Sequence, residues 1–565
     1  MNPVRPLPQA ARALALAASL GASWLPVRAQ AAVPVSVPGT FAQNPIVYFV
    51  LTDRFYDGDP SNDHSYGRQR EKDPKDDVGT FHGGDLKGLT LKLKEGWFRK
   101  LGVNALWITA PYEQIHGWVV GGREEFRHYA YHGYYALDYT VLDKNMGTPE
   151  DLRELVDTAH SQGIRILFDV VMNHPGYLDL QTAHDLHVNV LWPGWEKATL
   201  KNYHSFIDYN SDAWSDWWGR DWVRAGLPGY IDGGRNDLTM QIAFLPDFRT
   251  ESSKLVKLPK FLHDKPDTKA VDLPDTTVRG YLIKWLTDWV REYGIDGFRC
   301  DTVKHVEPEA WAALKEQATK ALADFKAKNP TRKIDDAPFW MVGEYWGAGP
   351  EKHKMLRYGF DAMINFEFQG ESDDFAKPES LFRNYAKLQA GQPVHMLNYL
   401  SSHDTRLFER GKLIEGGTAL LLAPGGVQIF YGDETARPEG WKPRTDPQQA
   451  TRSDMNWANP DEKVLAFWRK LGTFRERHCA LAIGEHKELS EKPYAFSRVD
   501  VASGDRVVVA LDARGPVQIP VAGVFQDGEA LEDATTGRPV TVAQGKVQVQ
   551  GEGVVLLERV KPAAR

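Results

Sequence analysis

The 565-residue sequence contains little cysteine and few long apolar runs. Its two cysteines, Cys300 and Cys479, can form at most one bridge, so a disulfide framework is excluded. We expect both thiols to be free, with a single Cys300–Cys479 bridge as the alternative. Beyond residue 26 no apolar run is long enough to cross a bilayer, so no membrane span is expected. With 42% hydrophobic and 25% charged residues, the chain has the composition of a protein that folds around buried apolar cores.

Positive charge is also in the minority. There are 68 Lys and Arg against 76 Asp and Glu, which gives a formal net charge of −8. An acidic surface repels the phosphates of nucleic acids and the head groups of anionic lipids. The sequence therefore argues against a nucleic-acid partner and fits a neutral substrate. We expect the protein to act as a monomer.

The first 31 residues predict a secretory signal peptide. Arg5 and Arg12 precede an apolar stretch at residues 13–26, and Ala29-Gln30-Ala31 has the small residues of a cleavage site. A short buried helix is the alternative, but it does not account for the residues that flank the stretch. We expect the mature chain to begin near Ala32 and to be exported to the periplasm or the medium.

Eight short apolar runs, separated by amphipathic helical patterns, recur along the chain. They are VYFVL (47–51), NALWIT (104–109), RILFDVV (165–171), DGFRCD (296–301), FWMVGE (339–344), AMINFEF (362–368), VHMLNYL (394–400) and VQIFYG (427–432). Continuous apolar runs are typical of parallel strands covered by helices. The sequence thus predicts the α/β class with a (β/α)8 TIM barrel, whose functional residues lie where the strands end.

These runs divide the mature chain into four segments. Residues 32–174 and 281–481 are expected to form the two parts of the barrel. Residues 175–280, rich in Trp, Asp and Gly, are too many for a connecting loop and predict an inserted domain B after the third strand. Residues 482–565 contain short strand patterns separated by Gly, Asp and Pro turns, which predict a C-terminal antiparallel β-sandwich.

Polar side chains follow four of the predicted strands. The third, fourth, fifth and seventh runs lead into Asp169, Asn173 and His174; Arg299, Asp301, Lys304 and His305; Glu344; and His403 and Asp404. Because barrel strands end around one mouth, the carboxylates of Asp301, Glu344 and Asp404 are predicted to converge. A single strand-end carboxylate could be a solvated or capping residue, but three in this order indicate a site.

Two neighbouring carboxyl groups are what retaining glycoside hydrolysis requires, one ionised as nucleophile and one protonated as acid. Arg299 and Asp301 are two residues apart and face the same side of their strand, so the guanidinium would keep Asp301 ionised. Glu344 follows an apolar strand, where desolvation would keep it protonated.

These segments resemble the α-amylase superfamily of glycoside hydrolases over nearly the whole mature chain. The matching segments are GVNALWIT, AYHGYYALDY, DVVMNH, LPDF, GFRCDTVKH, VGEYW and YLSSHD. The resemblance implies Asp301 as nucleophile, Glu344 as general acid/base and Asp404 as transition-state stabiliser. It also implies that several residues line the site of the reacting sugar, namely His132, Tyr134, His174, Arg299 and His403. Lys304 and His305 match members that act on α-1,4-glucans, where they contact the sugar on the leaving side.

The segments LTDRFYDGDPSNDHSYG, TFHGGDLKG and EQIHGWV are similar to the periplasmic α-amylases of Gram-negative bacteria. This likeness implies retaining hydrolysis of α-1,4 bonds in starch and maltodextrins, and LPDF, where sucrose- and isomaltose-active relatives show QPDLN, favours an amylase. A cyclodextrin-forming or other 4-α-glucanotransferase is the alternative, disfavoured because the chain is short for that group. A non-catalytic glucan-binding homologue would be expected to lack one of the three carboxylates.

The resemblance further implies a structural Ca2+ bound by Asn173, the Asp247 carboxylate and the backbone carbonyl of His305, with Asp237 as the candidate fourth ligand. Alternatively, Asn173 and Asp247 only hydrogen-bond to loop backbone. A second calcium loop is implied by DGDPSND and GGD. Its candidate ligands are Asp57, Asp59, Asn62, Asp63, Gly83 and Asp85. These residue types also form ordinary turns, which is the alternative at the second site.

Four tryptophans of the insertion recur at helical spacing. They are Trp214, Trp217, Trp218 and Trp222. One apolar helix face that packs the insertion onto the barrel is the favoured interpretation, and a platform for sugar rings is the alternative.

Overall fold

The computed structural model describes residues 33–373, 375, 378–390 and 393–561. The predicted signal peptide, residues 1–31, lies outside these residues. Within the described part of the chain, no helix combines the length and the apolar character needed to cross a bilayer. Cys300 and Cys479 are both free and buried, so the alternative of a bridge is not realised.

Eight parallel strands close into a barrel whose strand order follows the chain. They are Ile46–Val50, Ala105–Ile108, Arg165–Val170, Gly297–Cys300, Trp340–Gly343, Ala362–Asn365, Met396–Tyr399 and Gly426–Phe430. Each strand falls on one of the eight apolar runs, and every residue of the eight strands is buried because helices cover the outer face. The predicted TIM barrel is confirmed.

The barrel helices begin and end where local sequence chemistry dictates. The longer ones are Leu86–Lys94, Pro149–Ser161, Val278–Tyr293, Pro308–Lys328, Pro378–Gln389, Leu413–Leu421 and Glu462–Arg477. At the second of them, the Thr148 hydroxyl accepts from the Asp151 N–H, and the Asp151 carboxylate accepts from the Thr148 N–H, which closes a capping box. After the fifth strand the α-helix is replaced by a short 3-10 helix, Lys354–Tyr358.

The segment between the third strand and helix Val278–Tyr293 has little regular structure. It contains two short helices, Leu180–Asp185 and Lys260–Asp264, several 3-10 turns, and a small antiparallel pair, Val223–Arg224 with Asp247–Phe248.

The four tryptophans at helical spacing, Trp214, Trp217, Trp218 and Trp222, are all at most 3% exposed. Trp222 stacks on Trp285 of a barrel helix with ring centroids 5.7 Å apart, and Trp218 meets Phe248 edge-on at 5.0 Å. They therefore pack the insertion onto the barrel, as favoured above, although only Asp212–Asp216 forms a helical turn among them.

The C-terminal part consists of antiparallel strands, as the predicted β-sandwich requires. Its strands are Glu485–Glu491, Tyr494–Asp500, Asp505–Pro520, Ala530–Asp533, Arg538–Thr541 and Lys546–Lys561, and they form one hydrogen-bonded sheet. Val33–Pro34, at the start of the described chain, pairs with the last of these strands. A separate small core, made mostly of Val, Ala and Leu side chains, lies under the sheet.

Candidate active site

Arg299 is the central cation of the barrel mouth. It is paired in register with Asp169 of the neighbouring third strand. Its Nη1 donates to Asp169 Oδ1 at 2.9 Å and to Asp301 Oδ1 at 2.7 Å, and its Nη2 lies 3.4 Å from Glu344 Oε2. Arg299 is only 1% exposed. A single buried guanidinium therefore contacts three carboxyl groups. Asp301 and Glu344, which the sequence placed on neighbouring strands, are thereby brought together.

Glu344 follows the fifth strand and is 7% exposed. Its Oε2 accepts from the backbone N–H of Thr302, the residue after Asp301, at 2.8 Å. Burial raises the pKa of Glu344 to about 8, with Asp301 and Asp404 adding to the rise and Arg299 opposing it. Glu344 therefore carries a proton at neutral pH.

Asp404 has the opposite electrostatic environment. Its Oδ2 lies 2.9 Å from His403 Nε2, and its Oδ1 accepts from Arg452 Nη2 at 2.9 Å. Burial acts to raise its pKa, but His403 and Arg452 outweigh burial and hold the pKa of Asp404 well below its usual value. The same mouth thus holds a protonated acid and an ionised one.

Three aromatic side chains stand in a row across the mouth. Tyr134 lies between His132 and His403, with ring centroids 5.4 Å and 5.6 Å away and nearly parallel planes. The Tyr134 hydroxyl donates to Asp169 Oδ2 at 2.8 Å. His132 Nδ1 accepts from the Tyr134 N–H, and its buried Nε2 has no protein partner in the described chain. His174, which is 4% exposed, lies against the amide of the preceding residue.

Lys304 and His305 both face the insertion. Lys304 Nζ lies 3.3 Å from Asp237 Oδ1, and His305 Nδ1 contacts the Asp237 carbonyl at 2.7 Å. The side chain of Asp237 is therefore paired with Lys304, and its 53% exposure contrasts with the buried position of Asp247.

Asn173, Asp247 and the His305 carbonyl come together beneath the insertion. The Asn173 amide atom that faces them is 3.1 Å from His305 O and 3.3 Å from Asp247 Oδ1. If this atom is the amide oxygen, three acceptors come together, as Ca2+ coordination requires. If it is the amide nitrogen, it donates hydrogen bonds to the His305 carbonyl and to Asp247 Oδ1. The other oxygen of Asp247 accepts from Arg224 Nη1 at 2.7 Å.

In the second candidate calcium loop, some of the carboxylate oxygens already accept hydrogen bonds from the protein. Asp85 accepts from the N–H groups of Gly58 and Gly88 and from the Asn62 amide, while Asp59 accepts from Ser61 and faces Lys87.

Other oxygens of this loop have no protein partner. Asn62 Oδ1 and Asp63 Oδ1 are buried and unpaired within the described chain, and burial, with the charge of Asp57, raises the pKa of Asp63 to about 6. A Cβ on Gly83 would stand 2.6 Å from Asp63 Oδ1, so glycine is required there. Among the described residues, no three Asp, Glu, His or Cys side chains alone form a metal cluster, so amide and backbone oxygens would have to complete either site.

Three residues of the mouth received no role from the sequence. Asp169, whose pKa burial raises to about 7, binds Arg299, Tyr134 and the Trp107 indole N–H. The sequence did point to this position, because Asp169 stands next to the last residue of the third strand. Arg452 comes from a long loop after the eighth strand, where no motif pointed to it.

Trp346 is the third of these residues. It lies two positions beyond Glu344, is 56% exposed, and packs its ring against Phe366 at 5.0 Å. The sequence could have pointed to Trp346, because it belongs to the segment VGEYW that contains Glu344.

The chain matches the family described as alpha amylase, catalytic domain, over residues 49–219 and 251–480. It is 50% identical over 482 residues to the periplasmic alpha-amylase of Escherichia coli (strain K12), covering 80% of this chain and 70% of that protein. A solved Anoxybacillus alpha-amylase is similar in fold, with a TM-score of 0.61, 22% identity, and coverage of 92% of this chain and 99% of that one.

A solved cyclomaltodextrin glucanotransferase with a three-domain ABC distribution is equally similar. It has a TM-score of 0.62 and 21% identity, and the match covers 92% of this chain and 99% of that one. A glucanotransferase can therefore have the same extent as this chain, so the length argument against a transferase does not hold. The residues of the site and the 50% identical periplasmic alpha-amylase are what favour an amylase.

Proposed function

Because the chain belongs to the alpha-amylase family of glycoside hydrolases, we propose that it is an α-amylase that hydrolyses α-1,4-glucosidic bonds of starch and maltodextrins with retention. The observation that carries this proposal is the buried Arg299 guanidinium shared by Asp301 and Glu344, because it holds the nucleophile beside a protonated acid at one point of the barrel mouth.

In the first step the Asp301 carboxylate, which accepts a hydrogen bond from Arg299, attacks the anomeric carbon as the bond to the leaving oxygen breaks. Glu344 gives its proton to that oxygen, which leaves as a sugar hydroxyl. In the second step the Glu344 carboxylate takes a proton from water, whose oxygen displaces Asp301. Two inversions restore the original configuration.

The remaining side chains position the sugar. Asp404 stays ionised and accepts hydrogen bonds from sugar hydroxyls, and the unpaired Nε2 of His132 donates to another. Tyr134 supplies the ring under the reacting sugar. On the leaving side, Lys304, His305 and the exposed ring of Trp346 are positioned to meet the next glucose unit.

Chromatography of the products tests the proposed function. Starch and maltodextrin are expected to give short linear maltooligosaccharides, with no cyclic product and little disproportionation of maltoheptaose. Accumulation of cyclodextrins or of longer chains would assign the protein to the transferases instead.

The pH dependence should reveal the protonated acid. Since burial raises the pKa of Glu344 to about 8, kcat/KM on maltodextrin is expected to be level near neutrality and to fall as the pH rises through about 8, where the free enzyme loses this proton. The same profile with α-maltosyl fluoride, whose leaving group needs far less protonation, should lack this alkaline fall. A fall of equal size with both substrates would contradict the assignment.

Calcium is proposed as a structural ion between barrel and insertion. Asn173, Asp247 and the His305 carbonyl fit such an ion, and the loop of Asp57, Asp59, Asn62, Asp63, Gly83 and Asp85 is proposed as a second, weaker site. The ion would hold the two parts together and would leave the proton transfers to the protein.

Removing calcium should lower stability more than it changes the chemistry. At free calcium about 100-fold above its dissociation constant, binding stabilises the folded state by about 2.7 kcal/mol, so EDTA should lower the melting midpoint. Asn173→Ala should melt lower and respond less to EDTA. An unchanged wild-type midpoint, with metal loss verified by elemental analysis, would remove calcium from the proposal.

Export is proposed from the predicted signal peptide together with the periplasmic relative. We also propose that the protein is a monomer with no nucleic-acid partner. Sedimentation of the purified mature chain, in the presence and absence of DNA, tests both points.

A further inference from the structure

The segment EQIHGWV, which has received no role so far, lies where the barrel meets the insertion. Both ring nitrogens of its buried His116 face carboxylates. Nδ1 lies 2.7 Å from Asp185 Oδ2, and Nε2 lies 2.9 Å from Glu113 Oε1. Glu113 belongs to the short strand Tyr112–Gln114, which follows the second barrel strand, whereas Asp185 ends the first helix of the insertion, Leu180–Asp185. One imidazole therefore joins the two parts of the protein.

The geometry around His116 requires a protonated ring. A neutral imidazole has one donor and one acceptor, whereas the imidazolium has two donors. An ionised carboxylate only accepts, so both contacts of His116 are hydrogen bonds only when the ring carries its second proton. Once that proton is lost, a nitrogen lone pair faces a carboxylate oxygen at hydrogen-bond distance, and this contact becomes repulsive.

The groups that touch the ring have opposing effects on its charge. Arg68 donates from Nε to the His116 carbonyl at 3.1 Å, and the Tyr66 ring stacks on the imidazole at 4.3 Å. Burial acts to lower the pKa of His116, and the charge of Arg68 adds to this effect. Asp185 and Glu113 outweigh both and raise the pKa of His116 above its usual value.

Most of the other charged groups around this junction are acids. Two cations, Arg68 and Lys265, lie among carboxyl groups that outnumber them. These are Glu113, Asp138, Asp143, Asp179, Asp185 and Asp267. On the surface side, His184 Nδ1 lies 3.2 Å from Asp185 Oδ1. A positive charge on His116 therefore brings the junction closer to neutrality.

Glu113 also holds the later part of the insertion. Its Oε2 lies 2.6 Å from Nζ of the buried Lys265, which directly follows helix Lys260–Asp264. Burial acts to lower the pKa of Lys265, but Glu113 and Asp138 outweigh it and raise this pKa, so the lysine stays charged. The insertion is thus tied to the barrel at two points, and the one through His116 can change its charge near neutral pH.

The backbone around His116 docks on the same helix of the insertion. The His116 N–H donates to Thr182 Oγ1 at 2.8 Å, and the Gly117 N–H donates to Asp179 Oδ1 at 2.9 Å. A Cβ on Gly117 would stand 2.2 Å from Asp179 Oδ1, so glycine is required for this close approach. The proton on His116 therefore decides how firmly the helix is held at a position that the backbone already defines.

We propose that His116 is a proton-dependent clamp that holds helix Leu180–Asp185 against the barrel, closed when the imidazole is protonated and loosened when it is neutral. Opening falls on the Asp185 contact, because the Asp185 side chain is 30% exposed and water can replace the ring there, whereas Glu113 is 1% exposed. The catalytic carboxyl groups come from barrel strands. The clamp therefore acts on the docking of the insertion, and it does not depend on the proposed function.

The direction of the pH effect follows from the raised pKa of His116 in the folded protein. The stabilisation by the clamp is fully present below about pH 6.5, the usual pKa of a histidine, and is lost as the pH rises through the folded-state pKa. Alkaline conditions should therefore loosen this helix before they affect the rest of the barrel.

Hydrogen exchange followed by mass spectrometry tests the clamp in the intact protein, with excess calcium present. Protection is expressed relative to the exchange of the unfolded segment, so the intrinsic effect of pH on exchange cancels. In peptides that cover Leu180–Asp185, wild-type protection should fall about 5- to 10-fold between about pH 6 and about pH 9, as expected for a charged hydrogen bond at a partly exposed site. Helix Glu462–Arg477 of the barrel should keep its protection in the same spectra.

Two variants remove the titrating contact, one from each side. His116→Gln has no ionisable ring, and Asp185→Asn offers an amide that can donate or accept. Both should show protection of Leu180–Asp185 that is level with pH, and His116→Gln should match the alkaline wild type. His184→Gln is the matched control, because His184 is 58% exposed and contacts Asp185 from the solvent side. This control should keep the wild-type fall.

Wild-type protection that is level across this pH range overturns the clamp, and so does a fall of equal size in His116→Gln. If His116→Gln does not fold, Asp185→Asn decides, because Asp185 lies at the exposed end of the contact. A wild-type fall in that variant also overturns the proposal.

Discussion

Replacing Glu344 with Gln is expected to lower starch hydrolysis by about 100- to 10,000-fold while leaving the enzyme able to react with α-maltosyl fluoride. A glucan leaves as a sugar hydroxyl, which needs the proton that the buried Glu344 carries. Fluoride leaves with far less help. The variant should therefore form the glycosyl intermediate on Asp301 and accumulate it, because no base remains to activate water.

Asp301→Asn is the matched control for this prediction. It should fail on both substrates, since no leaving group replaces a missing nucleophile. The measurements are fluoride release and mass spectrometry of the intact protein, in which a trapped maltosyl group adds its mass to Glu344→Gln only. Turnover of the fluoride with retention by Asp301→Asn, with no reaction in Glu344→Gln, would reverse the two roles.

The barrel was predictable because its strands are short, continuous apolar runs bounded by turns. The convergence of the candidate site residues followed from the same logic, since a parallel barrel gathers strand ends at one mouth. Arg299 and Asp301 were expected on one side of a strand, and in the structure Arg299 Nη1 lies 2.7 Å from Asp301 Oδ1. The domain boundaries at residues 174, 280 and 481 stay predictions.

Contacts between segments far apart in the sequence could not be predicted in this way. Arg452 reaches Asp404 from a loop that has no period and no motif. Val33–Pro34 joins the C-terminal sheet through backbone pairing alone, which leaves no trace in side-chain pattern. The insertion has few helices and strands, so its packing depends on its tryptophans. The residues that these tryptophans contact could not be predicted from the sequence.

The cavity between the barrel and the insertion shows the same limit. Its walls come from a hairpin after the second strand, from the insertion and from Asp446 after the eighth strand. Only the closed barrel brings these segments together. The exposure of Phe244 and the left-handed backbone of Ala243 and Phe244 have no counterpart in the sequence, where LPDF was notable only as the motif that contains Asp247.

Replacing Tyr134 with Ala is expected to lower turnover by about 100-fold and the melting midpoint by only a few degrees. The ring stands at the barrel mouth between His132 and His403 and is partly exposed, so its loss removes the surface under the reacting sugar and leaves the barrel core intact. Tyr134→Phe is the control. It keeps the ring but loses the hydroxyl that donates to Asp169, so its turnover should lie between wild type and Tyr134→Ala. Steady-state kinetics on maltodextrin and thermal melting of all three proteins make the comparison. A Tyr134→Ala protein that unfolds readily yet keeps its turnover would place this ring in the structural core and remove it from the sugar site.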